Sequence, residues 1–256
     1  MKTFFAFLKK ENMELIRSGR LALLLLLFVL FGIMNPAIAK MTPWLIKMMA
    51  SSLENTGLLI TEIKVDAMTS WTQYYKNIGM LLIIFVLFVS NTLTKEYQKG
   101  TLILVLTKGL SRFKVVLAKT VVNMLLWTLC YWMCFGITYG YNAYFWDNSI
   151  ALHLFYAAFC YWLFGIWILS LVVFFSSVTQ SNTSVLIGTG GIIIVLRLLS
   201  MFSSTKKYLP IKLMEGFSLL TADAYVKDYN IAVIITIIFS LVCIGCSIIS
   251  FNRKMI

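Results

Sequence analysis

Apolar runs about as long as a bilayer is thick alternate along this chain with short charged segments. The first covers 21–39, opening LALLLLLFVLFGI. The second is 77–94, NIGMLLIIFVLFVSNTLT, and the third about 114–138. After Asp147 no charged residue occurs until Arg197, room for two helices, and the polar cluster SSVTQSNTS (Ser176 to Ser184) divides that stretch into spans near 151–175 and 185–202. A sixth run occupies about 230–251. A membrane helix needs roughly 20 mostly apolar residues. The pattern therefore predicts an all-α polytopic membrane protein, six transmembrane helices forming a single transmembrane domain over residues 1–256.

Ahead of the first run, residues 1–19 carry a helical pattern of their own. On a wheel of about 100° per residue Phe4, Phe5, Leu8, Leu15 and Ile16 share one face, while Lys9, Lys10, Glu14 and Arg17 avoid it. Such a helix lies along a membrane surface, apolar side down and lysines toward anionic headgroups. A basic start, an apolar run and Ala37-Ile38-Ala39 also follow the order of a secretory signal with its cleavage site. The long patterned leader argues against cleavage, so residues 1–19 are expected to persist as an amphipathic interfacial helix.

Composition agrees with the pattern. Hydrophobic residues make up 60% of the chain and charged residues 12%, with a mean hydropathy of +0.88, too much apolar surface for a soluble fold. The net charge of +12 would suggest nucleic acid in a soluble protein, but positive charge also collects on cytoplasmic loops of membrane proteins. With both termini cytoplasmic, the internal segments 1–20, 95–119, 176–184 and the C-terminus hold thirteen basic residues against three acidic ones, Glu11, Glu14 and Glu96; the external segments hold eight against seven. That asymmetry selects a multi-pass membrane protein with both ends on the cytoplasmic side. The external segments 41–76 and 206–229 mix apolar and polar residues at helical spacing and are expected to fold against the outer rim. Cys130, Cys134, Cys160, Cys243 and Cys246 all lie in apolar runs and read as small fillers, so no metal site is expected.

One internal segment stands out: KEYQKGTLILVLTKGLSRFKVVLAK, Lys95 to Lys119, in which six basic residues frame an apolar run too short to cross a bilayer. Gly100 takes a left-handed helix cap cheaply. Thr101 can cap a short helix ending near Gly109, and Ser111 can cap the third span. The result is a short transverse helix between two spans. A positive-inside loop dipping into the interface and a surface covered by a partner both satisfy this pattern.

The motif E-x-x-x-G-T-L-x-L-x-L-T-K-x-x-S-R-x-x-x-x-x-A-K, from Glu96 to Lys119, resembles the permeases of type-2 ATP-binding-cassette exporters, as does SWTQYYKNI (Ser70 to Ile78). The resemblance implies that 95–112 is a cytoplasmic coupling loop whose helix rests on an ATPase subunit, with Glu96, Gly100, Thr101, Leu104, Lys108, Ser111 and Arg112 in contact or hinge roles. Gly109 departs from the family, in which many members have proline there. The resemblance further implies a P-loop ATPase partner in two copies, a second permease copy making a homodimer, and ATP with Mg2+ in the partner.

The chain itself has no P-loop, since no glycine is followed by lysine, so it is expected not to be an enzyme and to hold no cofactor. The six apolar runs contain no carboxylate, which disfavours a proton- or sodium-coupled carrier. The one histidine, His153, sits at the edge of a run. Asn91, the aromatic stripe Trp127, Tyr131 and Phe135, and Arg197, the only charge between Asp147 and Lys206, are candidates for a translocation path. They suit an amphipathic or hydrophobic substrate such as an antimicrobial or toxin-like peptide. A secondary carrier or channel without an ATPase, or a non-transport scaffold or sensor subunit, are the alternatives.

Overall fold

The computed structural model describes residues 2–53, 65–98, 100 and 111–253. Among them six helices are long and apolar enough to cross a membrane: Arg20–Met48, Ala67–Glu96, Arg112–Phe145, Leu154–Val178, Asn182–Leu199 and Lys227–Arg253, called here spans one to six. A shorter helix, Lys2–Arg17, precedes them. The protein is all-α and polytopic.

Several helices outrun their apolar stretches. Span one continues as a helix to Leu53 and takes in Pro36 and Pro43. A proline inside a helix leaves the carbonyl four residues earlier without a donor; for Pro36 that carbonyl belongs to Gly32. The Thr138 hydroxyl of span three donates to it at 3.0 Å. Thr138 in turn accepts from Asn35 Nδ2 at 3.4 Å, and Asn35 Oδ1 accepts from Asn77 Nδ2 of span two at 2.8 Å. One side-chain relay thus satisfies the broken helix and ties spans one, two and three together, as backbone groups in lipid require. Gly32 permits the close approach: a Cβ there would sit 3.1 Å from the Cys134 carbonyl.

Span four is the hub. In its most apolar window 72% of residues are buried, against 11% in span five, which therefore rides on the periphery. The core is an aromatic seam. Trp127 meets Phe28, Phe85 and Tyr131 at centroid distances of 6.1, 5.3 and 5.3 Å, and its indole N–H donates to the Trp162 carbonyl at 3.1 Å. The indole lies over Gly165, where an added Cβ would approach ring atoms to 2.3–2.5 Å. In span five Gly188 similarly receives the Phe175 ring, whereas Gly190 and Gly191 face open space.

The segment between spans five and six folds onto the bundle. Pro210, Ile211, Leu213, Leu219 and Leu220 are buried, and the Tyr229 hydroxyl donates to the Glu215 carbonyl at 2.9 Å. His153 precedes span four in a left-handed conformation, φ 48°, and caps nothing through its side chain.

Candidate functional site

The N-terminal helix does not rest on one apolar face alone. Phe7 is buried among Val115, Val116 and Ala118 of span three, Val173 of span four and Phe251 of span six. Glu11, one turn later, is buried beside it. Phe5 and Ile16 are exposed, and Phe4, Leu8 and Leu15 half-buried. The apolar arc expected to lie flat thus splits: its Phe4 edge turns toward the bundle and its Phe5–Ile16 edge away. The turn between this helix and span one uses Gly19 at φ 71°, a conformation glycine adopts without strain.

What holds Glu11 inside is charge. Lys119 of span three, 2% exposed, places its Nζ 2.8 Å from Glu11 Oε2 and 3.1 Å from Glu96 Oε1. Lys10 adds contacts of 3.0 Å to Glu11, 3.3 Å to Glu96 and 3.2 Å to Glu14. Oxygens of Glu11, Glu14 and Glu96 lie within 4.8 Å of one another. All three acids of the segments read as internal therefore meet at one point, and two ammonium groups neutralise most of their charge. Burial works to lower the Lys10 pKa, but Glu11, Glu96 and Glu14 outweigh it and hold it well above the usual lysine value. Burial likewise pushes Glu14 up, and Lys10, with Lys119 and Lys95 behind it, wins and holds it below the usual carboxylate value.

The cluster sits at the root of the segment singled out in the sequence. Glu96 belongs to the helix Asn91–Gln98 that continues span two, and Gly100 follows with φ 66°. Thr101, Leu104 and Lys108, with the short helix expected there, lie outside the described residues. Beyond them Ser111 is the N-cap of span three with extended backbone, but its hydroxyl makes no capping hydrogen bond. Arg112 instead reaches the end of span six, donating to the carbonyls of Asn252 at 3.2 Å and Phe251 at 3.5 Å. A guanidinium on the last carbonyls of a helix satisfies orphan acceptors and complements the dipole. The segment is thus moored at both ends: by Glu96 to the N-terminal helix and span three, and by Arg112 to span six.

The candidates for a path are scattered. Trp127, Tyr131 and Phe135 are buried inside the single chain, packed on neighbouring rings, with the Tyr131 hydroxyl donating to the Ala158 carbonyl at 2.8 Å. They are core. Arg197 occupies the last turn of span five, largely exposed, 3.9 Å from Glu215, which also takes Lys206 at 2.8 Å. Asn91 is half-buried, its Oδ1 without a hydrogen-bond partner among the described residues. Glu11 and Lys119 escaped selection from sequence. Two signals marked them: Glu11 falls beside Phe4 and Phe7 on the wheel, and Lys119 shares a face with Val115 and Val122 rather than with water.

Among curated proteins none matches this chain. The profile of the family described as ABC-2 family transporter protein matches residues 5–221, taking in the N-terminal helix, the ionic cluster, the moored segment and five of the six spans. The chain belongs to that family and is a membrane permease subunit of an ATP-binding-cassette transporter.

Proposed function

We propose that this permease works as an exporter in a bacterial cytoplasmic membrane, with both termini inside and two identical copies paired. Each copy rests its Thr101–Lys108 segment on one P-loop ATPase subunit. The chain carries out no covalent chemistry; ATP and Mg2+ are held by the partner. ATP binding draws the ATPases together and pushes the two segments, and the spans rock as rigid bodies so that a path between the copies opens outward. The cargo is amphipathic or hydrophobic, with antimicrobial or toxin-like peptides the first class to try.

The observation that carries this reading is the double mooring. A loop that only linked two spans would need neither a buried ion cluster at one end nor a guanidinium on another span's terminus at the other. A lever that must pass force to the bundle needs both. The excess of positive charge on the same side supports the orientation.

The test is co-purification with a P-loop ATPase subunit from the same cell, then ATP turnover of the complex in liposomes. Changing Leu102, Leu104 and Leu106 together to serine is expected to break assembly or uncouple turnover. Unaltered assembly and turnover would sink the docking assignment. Cysteine labelling of position 104 from outside intact cells would sink the orientation.

A further inference from the structure

At the end of the bundle remote from the moored segment, residues 146–153 join span three to span four. The 34 residues of span three put this joint about 50 Å from Arg112, at about 1.5 Å per residue. The joint is held in place. The Trp71 indole of span two donates to Asn148 Oδ1 at 3.2 Å, Asn148 Nδ2 donates to the Tyr139 carbonyl at 3.1 Å, and the Leu152 N–H donates to the Leu220 carbonyl at 3.3 Å. His153, at φ 48°, keeps a conformation that residues with a Cβ adopt at a cost.

Beside the joint lies an open bay of about 610 Å3. Tyr139, Trp146 and Phe155 supply its aromatic wall, with Asp147 and Ser149 among its polar groups. The Phe155 ring stands 5.6 Å from that of Tyr139, yet the residue is 59% exposed. Asp147 accepts from Ser149 at both oxygens, the hydroxyl at 2.6 Å and the N–H at 2.9 Å. These bonds hold its carboxyl below the usual carboxylate range, so it stays charged. No lysine or arginine lines the bay, and none occurs in the chain between Lys119 and Arg197. One residue before Trp146, the Phe145 ring already holds an ammonium of the chain itself: Lys40 Nζ lies 3.8 Å from its centre. Phe145 lines a separate depression, so the rings of the bay keep their own faces.

We infer that this bay binds an organic ammonium group, its charge beside Asp147 and its carbon substituents against Tyr139, Trp146 and Phe155. The inference goes beyond the transport reading, since it needs neither an ATPase nor a direction of transport. Ring faces attract a cation, and quaternary ammonium groups are recognised by such walls. An interfacial belt explains the rings alone; it does not call for a carboxylate among them in a wall without lysine or arginine. An inorganic divalent cation suits the bay poorly, because it takes six or more oxygen ligands and rings offer none. A guanidinium prefers a two-pronged grip on a carboxylate, and both Asp147 oxygens already accept from Ser149. The volume is in the range of ligand pockets, roughly 300–1,000 Å3, room for an ammonium with an apolar body. Just beyond the ends of two spans, that group comes either from a choline headgroup or from a free cationic amphiphile.

The test uses the full chain in nanodiscs of a neutral glycolipid, which carries no ammonium. It runs at pH 8, above the range in which imidazoles ordinarily take up charge, because His153 also lines the bay. Two water-soluble diazirine probes differ at one atom: a trimethylammonium and the neutral tert-butyl compound of the same shape. The cation is expected to label the peptides containing 139–156, saturably and in preference to other exposed loops, and the neutral probe not to. Asp147→Asn should lower that labelling about fivefold and Phe155→Leu about threefold, each variant melting with the parent. Ala143→Lys, at an exposed position of the wall, brings an ammonium of the chain into the bay and should abolish labelling. Phosphatidylcholine nanodiscs tell the two sources apart: suppressed labelling there identifies the lipid headgroup as occupant, unchanged labelling a free amphiphile. Equal labelling by both probes, labelling of every exposed loop alike, or labelling indifferent to Asp147→Asn and Ala143→Lys would each overturn the inference.

Discussion

Replacing Lys119 by methionine asks the most of the ionic cluster. The substitution keeps the aliphatic stem and removes the ammonium, leaving Glu11 Oε2 without its 2.8 Å partner and Glu96 with Lys10 alone at 3.3 Å. Breaking one side of a buried ion pair costs about 3–5 kcal/mol, much of it the stranded charge. Lys10 remains beside both carboxylates and has part of its length in water, which places the loss at the lower end, about 3 kcal/mol. At about 2–4 °C per kcal/mol for a chain of this size, the apparent Tm should fall about 6–12 °C. Heating the protein in nanodiscs while following tryptophan fluorescence reads this directly. Glu11→Leu added to Lys119→Met removes the stranded carboxylate and should recover at least half the loss, a non-additivity that marks direct coupling. If Lys119→Met melts within about 1 °C of the parent, or the double variant is no better than the single, the cluster does not hold the N-terminal helix to the bundle.

Further outcomes follow from the same packing. Gly165→Ala drives a methyl into the buried Trp127 indole and should destabilise by about 1–3 kcal/mol, lowering the melting temperature and shifting the indole emission. Thr138→Val strands the Gly32 carbonyl beneath Pro36 and Asn35 Nδ2, a loss of about 1–2 kcal/mol that should speed hydrogen exchange around residue 36. The pH dependence of N-terminal helix docking, read by spin-label distances to span three, has a worked sign. Glu14 is held below its ordinary 4.5, so its contribution is present above that value and lost as pH falls through the depressed one. Lys10 is held above its ordinary 10.5, so its contribution is present below that value and lost only at still higher pH. Docking should be flat from about pH 5 to 10 and loosen in acid; loosening that begins near neutrality would contradict the assignment.

Six spans were legible because uncharged runs of bilayer length have few other uses. Their ends were not. The apolar run stops at Lys40, yet span one continues to Leu53, and no local rule could foresee that Thr138, about a hundred positions away, would repair the gap at Pro36. The four-residue period of Trp127, Tyr131 and Phe135 revealed a face without saying what it faces; the structure turns it inward. Glu11 was counted only among the internal acids, because nothing local shows that an ammonium from another helix meets it and lets it be buried. Glu96 and Arg112 were legible as candidates only through family resemblance, because what each touches belongs to distant chain.

A mechanical consequence follows from where those two side chains attach. Glu96 shares one oxygen with Lys119 and Lys10, so a displacement at the start of the moored segment reaches the N-terminal helix and span three together. Arg112 passes a displacement at its far end to span six, which packs along span four, the most enclosed helix. Spans one, two and three are joined through Asn35, Asn77 and Thr138. Among the described residues span five is the least buried of the spans, tied near the moored segment by a 3.4 Å hydrogen bond from Gln98 to the Gln180 carbonyl just before it, and at its other end by the Thr205 hydroxyl on the Leu199 carbonyl and the loose Arg197–Glu215 pair. If the segment is pushed as the proposed function requires, these ties would carry most of the bundle as one body against span five.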